Sequence, residues 1–291
     1  MTSIQTTSQI ISRYFGFHAS VAGGLSNALI SSKEMGCNAV QIFSRNPRGW
    51  FAKPLTPQDI QLFRDRRQET GIRSVTVHSC YLINMAAADS EMRRKSIIAF
   101  REEIERCLAI GAEFLVFHPG SAKGTTETES IKLCADSLQQ ASRDLNLKGF
   151  RILLENTAGQ GDAIGYRFEH LRDIIALCPG LNLGVCLDTC HAFAAGYDLR
   201  DGNDVSATLT TLGSIVGTKN VCAVHFNDSK AAYNSRVDRH WHIGKGEIGI
   251  EGMRLVAQDK NLANAAFLLE TPQADKSLHA ENIARLRSFL V

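Results

Sequence analysis

No apolar run in this 291-residue chain approaches the ~20 residues needed to span a bilayer, so no membrane helix is expected. The start, MTSIQTTSQIISRY, lacks a basic region followed by a long apolar stretch, so it does not read as a secretory signal. Eight cysteines are scattered singly and none forms a C-x-x-C pair, which excludes a thiolate zinc ribbon and a dithiol redox motif. Several lie in apolar runs where a small thiol packs well, and together these features indicate a reduced, cytoplasmic, soluble protein. Formal net charge is only +2 and no block of like charges occurs. A nucleic-acid partner is therefore permitted, but any basic surface must be assembled by the fold. The first strand candidate leads into HASVAGGLSNA, whose glycines lack the G-x-G-x-x-G spacing of a dinucleotide turn, and no Walker-type spacing is present.

What the chain has is a repeating unit. Residues 1–13 are polar and read as a mobile N-terminal extension. From Tyr14 a short apolar strand, a loop and a longer amphipathic stretch recur as one domain over 14–291. Strand candidates are YFGFHAS from Tyr14, NAVQIF from Asn38, SVTVHS from Ser74 and EFLVFHP from Glu113. RILLENT from Arg151, NLGVCLD from Asn182, VCAVHFND from Val221 and AAFLLET from Ala265 complete the set. Helical patterns fall at Leu25–Met35, Pro57–Thr70, Glu91–Ile110, Glu129–Leu145, Arg167–Leu177, Ile250–Asp259 and Leu278–Leu290. Eight alternating units without a break in composition predict a single (β/α)₈ TIM barrel rather than an open doubly wound sheet.

In such a barrel the active site lies where the strands end. Read in order, six of those ends carry His78, His118, Glu155, Asp188, His225 and Glu270, although His, Asp and Glu make up only 39 of 291 residues. Side chains alternate along a strand, so residues two and four before each donor should point inward with it. Behind His225 these are Ala223 and Val221; behind Asp188, Cys186 and Gly184; behind Glu270, Leu268 and Ala266. The intervening Val224, Leu187 and Leu269 should face the helices.

The stretch GVCLDTCH adds His191 three residues after Asp188, and the loop SRVDRHWHIGKGEIG adds Asp238 and His240. His242 is in phase with His240 and is an alternative to it. Each donor has a plainer explanation, such as Asp188 capping a turn or a lone histidine satisfied in the core. Converging imidazoles and carboxylates, however, are costly without cations. The nine donors exceed the needs of one tetrahedral ion, so two or three ions are expected, in a set suited to zinc, manganese or iron. Clustered ions in an open cleft suit hydrolysis of a phosphoester. GKGEIG allows either a phosphate cradle or a tight turn, and the missing Walker spacing favours the turn.

These motifs resemble the endonuclease IV family of zinc-dependent apurinic/apyrimidinic endonucleases from about Gly16 to the C-terminus. The resemblance rests on HASVAGG, NPRGW, VHSCYLIN, FHPGS, LLENTAGQG, CLDTCHAFAAGYD, VHFNDSK, DRHWHIGKGEIG and LLETP, in that order. It implies three zinc ions: one on His78, His118 and Glu155, one on Glu155, Asp188, His225 and Glu270, and one on His191, Asp238 and His240. It also implies that Glu155 is the bridging, catalytic carboxylate. The reaction would be hydrolysis of the phosphodiester 5′ to an abasic site in duplex DNA, by a zinc-bridged hydroxide attacking in line, leaving a 3′-hydroxyl and a 5′-deoxyribose phosphate. Arg48, Tyr81 and Leu82 would read the DNA and the chain would act as a monomer. The competing expectation is a metal-dependent sugar isomerase or epimerase on a related barrel.

Overall fold

A computed structural model of the protein describes residues 13–290. The expected N-terminal extension, apart from Arg13, lies outside the described residues. The strands are β1 (Tyr14–Phe17), β2 (Ala39–Phe43), β3 (Ser74–His78), β4 (Phe114–Phe117), β5 (Arg151–Glu155), β6 (Leu183–Asp188) and β7 (Val221–His225). The short β8 (Asp228–Ser229) and β9 (His240–Trp241) precede β10 (Ala266–Leu269). Eight of these form one parallel sheet in the order β1-β10-β7-β6-β5-β4-β3-β2, and β8 pairs antiparallel with β9. The sheet curls until its two ends meet. The Asn38 N–H donates to Phe15 O at 3.2 Å, the Ala19 N–H donates to Gln41 O at 2.8 Å, and His18 and Gln41 form a parallel bridge. This seam demands a glycine, because a Cβ on Gly16 would stand 1.9 Å from Ala39 O.

Around the barrel run α1 (Asn27–Glu34), α2 (Pro57–Thr70), α3 (Ser90–Ile110), α4 (Glu127–Ser142) and α5 (Phe168–Ala176). They continue with α6 (Thr189–Ala194), α7 (Gly202–Val216), α8 (Gly249–Gln258) and α9 (Lys276–Phe289). Local sequence sets their limits. In α2, Thr56 and Asp59 form a reciprocal capping box, Pro57 sits in the first turn, and Gly71 closes the helix at φ 70°. Helix α7 is absent from the sequence-based set. Its threonines, valines and two glycines are weak helix formers, and it forms because Asp201 caps it and Val205, Leu209, Leu212 and Val216 are buried. Among the described residues, no helix is long and apolar enough to cross a membrane.

Two apolar layers result. The large outer one fills the space between strands and helices and includes Val224, Leu187 and Leu269. The small inner one, on the barrel axis, is Ala39, Val116, Leu153, Cys186, Ala223 and Leu268. Each inner residue lies two positions before a polar residue at the mouth: Gln41, His118, Glu155, Asp188, His225 and Glu270. The expected phase fails at Val221, which joins the outer layer. Register shifts between Val185 and Cys186, which face Val221 and Ala223, so β7 carries an extra residue. Cys222, not Val221, packs against the inner layer.

Candidate metal centre at the barrel mouth

The nine donors predicted from the strand ends and loops converge at the C-terminal mouth, in groups whose donor atoms lie within 4.8 Å of one another. His78 Nε2 and His118 Nε2 stand 3.1 and 3.2 Å from Glu155 Oε2. The other Glu155 oxygen faces elsewhere: His225 Nδ1 lies 3.0 Å from Oε1, 3.4 Å from Glu270 Oε2 and 4.0 Å from Asp188 Oδ2. A further group joins His191 Nε2 to Asp238 Oδ2 at 3.2 Å and to His240 Nε2 at 3.3 Å.

Asp188 does both things suggested for it. It caps α6, with Oδ1 accepting the His191 N–H at 2.7 Å, while Oδ2 points into the mouth 3.4 Å from His240 Nε2. His240 reaches the mouth because β9 folds back on β8, pairing His240 with Ser229. His242 turns away instead, its Nδ1 2.9 Å from Asn282 Nδ2 on α9.

Backbone carbonyls orient three of the rings. His78 Nδ1 lies 2.8 Å from Ser79 O, His191 Nδ1 3.0 Å from Asn156 O, and His240 Nδ1 3.4 Å from Glu270 O. Each carbonyl accepts the Nδ1 proton, which leaves the Nε2 lone pair facing the mouth. Two such lone pairs would face each other 3.3 Å apart on His191 and His240, a repulsion relieved by a proton on one ring or by a metal ion between them.

Charge in this cluster is strongly coupled. Burial alone would push the Glu155 carboxyl up, but the imidazoles of His225 and His118 hold it well below the ordinary carboxylate range. Burial opposes charge on His191 too, yet Asp188, Asp238 and Glu155 hold its proton well above the usual imidazole range. Asp238 is pulled down to about 2, against its partial burial, by the hydrogen bond and charge of His191.

The residues fit divalent metal ions. Glu155 Oε1 and His225 Nδ1 are fully buried and, although 3.0 Å apart, make no well-aligned hydrogen bond, which is costly unless a cation meets them. Ligands ~2.0–2.1 Å from a tetrahedral ion stand about 3.3 Å apart, the spacing seen among these donors. The set is imidazole and carboxylate, and the overlapping groups are consistent with zinc.

Two mouth residues escape a search for strand-end donors. His18 directly follows β1 and Gln41 lies in β2, the two strands without a predicted ligand, and their side chains meet at 3.0 Å. A polar residue in the middle of the apolar run NAVQIF was the available signal.

The GKGEIG segment is a turn, and its N–H groups already hold an anion. Asp228 Oδ2 accepts from Gly244 N and Gly246 N at 2.9 and 3.0 Å, and Oδ1 from Ile248 N at 3.0 Å. A Cβ on Gly246 would meet Ser229 O at 2.3 Å.

The mouth opens into a cavity of about 550 Å³ lined by metal-cluster residues together with His18, Phe43, Tyr81, Arg239 and Gln273. Tyr81 is 61% exposed, and its N–H donates to Pro47 O at 3.0 Å, joining its loop to the one that carries exposed Arg48. Leu82 is half-buried against the outer core, and Arg48 does not line this cavity. Helix α3 braces both loops. Buried Arg45 pairs with Glu102 at 2.9 Å and also bonds Trp50 O, and Glu103 accepts the Cys80 N–H at 3.0 Å.

Comparison with known proteins places the chain. The family described as xylose isomerase-like TIM barrel matches residues 31–289. The probable endonuclease 4 of Chloroflexus aurantiacus is 44% identical over 278 residues, covering 95% of this chain and 98% of that protein. That of Citrifermentans bemidjiense is 41% identical over 277 residues, covering 94% and 98%. The crystal structure of endonuclease IV from Thermus thermophilus matches with a TM-score of 0.85 and 36% identity, over 95% of this chain and 98% of that one. A D-tagatose 3-epimerase-like protein also matches, with a TM-score of 0.72 and 20% identity, over 95% and 97% of the two chains. At that identity the likeness extends to the fold alone.

Proposed function

This chain belongs to the endonuclease IV family, and we propose from its barrel mouth that it hydrolyses the phosphodiester 5′ to an abasic site in duplex DNA. The products are a 3′-hydroxyl and a 5′-deoxyribose phosphate. One observation carries the reading: the two oxygens of buried Glu155 are divided between two donor clusters, of which His78, His118 and Glu270 line an open cavity. A carboxylate so placed can bridge two cations, as phosphoester hydrolysis by paired metals requires.

The overlapping donor groups support a reading of three zinc ions per chain. His78, His118 and Glu155 hold the first; Glu155, Asp188, His225 and Glu270 the second; His191, Asp238 and His240 the third. Zinc supplies a water that is nucleophilic at neutral pH and positive charge against the phosphate. Tyr81 and Leu82 enter the base stack, which an abasic site has already weakened, and Arg48 adds a contact in the groove. Eight free thiols, seven of them buried, suit a reducing cytoplasm.

A sugar isomerase or epimerase would share the fold but leave the group of His191, Asp238 and His240 surplus. The deciding experiment is incision of duplex DNA bearing one abasic site, before and after chelation, with an intact duplex as control. Chelator-sensitive incision confined to the abasic strand is expected. Turnover of a ketose by the same protein, with no incision, would overturn the assignment.

A further inference from the structure

We propose that Gln41 is a positioning residue for the second metal site, setting His225 and Glu270 with the two ends of one amide. The inference rests on the reading above that these two side chains hold an ion.

Chemistry decides the orientation of the amide. One end lies 2.6 Å from Glu270 Oε1, and an ionised carboxylate can only accept, so that end is the NH₂ group. The other end is therefore the oxygen, and it lies 2.8 Å from His225 Nε2. A carbonyl oxygen at that distance takes a proton from Nε2. His225 is thereby held as the Nε2–H tautomer, with the Nδ1 lone pair turned towards Glu155 Oε1 and Glu270 Oε2. The same contact occupies Glu270 Oε1 and leaves Oε2 on the metal side. Gln41 Nε2 also lies 3.0 Å from His18 Nδ1, which itself stands 3.2 Å from Glu270 Oε1.

Comparison with the other rings strengthens the assignment. His78, His191 and His240 each give their Nδ1 proton to a backbone carbonyl and turn Nε2 inward. His225 is reversed, with Nδ1 inward, and its outer nitrogen meets a side chain where those three rings meet main chain. A ring oriented by a carbonyl survives most substitutions, whereas this one depends on residue 41. Gln41 itself is fully buried, and its backbone lies at the barrel seam, bridged to His18 and accepting from the Ala19 N–H. Barrel closure therefore fixes where the amide stands. Outer partners of this kind orient metal-binding imidazoles and carboxylates, and their loss typically costs about 10–100-fold in metal affinity.

The test uses the zinc-loaded full chain and two variants. Gln41→Met keeps the bulk and removes both hydrogen bonds. Gln41→Glu keeps an acceptor for His225 but sets a carboxylate against Glu270. Zinc per chain is measured over a graded chelator series, and the His225 tautomer by histidine nitrogen NMR. In Gln41→Met, one ion per chain should be lost at about 10–100-fold lower chelator concentration, with the hydrogen-bonded shift of the His225 Nε2–H signal lost. kcat on abasic DNA should fall with KM little changed. Gln41→Glu should keep the His225 signature and still release one ion early, which preserves the test if the methionine variant fails to fold. His225→Ala separates the two levels of inference. If it loses an ion while both Gln41 variants hold zinc as the wild type does, the positioning role is overturned and the metal assignment stands. If His225→Ala itself keeps full zinc, both are overturned.

Discussion

His78, Glu155, Asp188 and His225 stand on strand ends and are buried, whereas Asp238 is carried on the segment between β8 and β9 and keeps 44% of its side chain exposed. The first group inherits its geometry from the hydrogen-bonded barrel. The second is held by a few local ties. These are the two-residue pairing of β8 with β9, the Asp238 N–H donated to Gln160 Oε1 at 3.0 Å, and the nest of N–H groups around Asp228. Loop-held elements open at lower free energy than strand-held ones. On the proposed three-ion assignment, an ion held by His191, Asp238 and His240 should leave first under chelation, and those on Glu155 last.

The sharpest way to break this contrast is at Glu155. Glu155→Gln preserves shape but removes the charge that both clusters share, so incision should drop by orders of magnitude while abasic-DNA binding persists. Wild-type turnover with metals retained would end the bridging assignment. Next in size is His240→Ala, which should lose one ion per chain by elemental analysis and largely spare the other two. His242→Ala should keep all of them, because its ring is engaged with Asn282. If the two variants exchange these outcomes, the loop half of the site is misassigned.

Gly246→Ala probes the ties rather than the ligands. Its Cβ would collide with Ser229 O and the Asp228 carboxylate, so about 2–4 kcal/mol of stability should be lost. Thermal unfolding measures the loss, and a chelator series should show the loop-held ion loosened more than the strand-held ones. Tyr81→Ala should leave zinc content alone and reduce discrimination of abasic from intact duplex by about 1–3 kcal/mol. Binding to both duplexes at two salt concentrations checks this.

The smallest effect concerns the brace beneath the Tyr81 loop. Burial pushes the Glu103 carboxyl up to about 7, against partial relief from the Cys80 N–H and Arg45. A folded value above the unfolded one means the native state binds that proton more tightly, so this group lowers stability as pH rises from about 4.5 to about 7. Glu103→Gln should flatten that part of the stability profile. An unchanged slope in denaturant melts across the window would show that Glu103 does not titrate there.

Periodicity made much of this molecule legible. Alternation of two along eight apolar runs located the barrel, and it located the mouth donors from His78 to Glu270, because burial on one side of a strand leaves no freedom over which residue points inward. The same rule applied to β1 and β2 reaches His18 and Gln41, which a search confined to metal ligands passes over. It breaks down at β7, where the register shift moves Val221 outward, since a bulge is a property of two strands together. Helix α7 was hidden because its threonines and glycines disfavour a helix until tertiary burial outweighs them.

Local pattern was enough for the eight-unit barrel, the chemical types gathered at its mouth and the inward phase of most strands, because these follow from short-range periodicity and from which residues water excludes. The choice between His240 and His242, which share a phase in the chain, was made by contacts in three dimensions. Pairing of β9 with β8 carries one into the mouth, and Asn282 on α9 holds the other away from it. Folding likewise set the glycine-rich turn around Asp228 and brought Gln41 from one side of the seam to His225 and Glu270 on the other. Those contacts join residues far apart in the chain, and no local pattern encodes a distance that exists only once the barrel has closed.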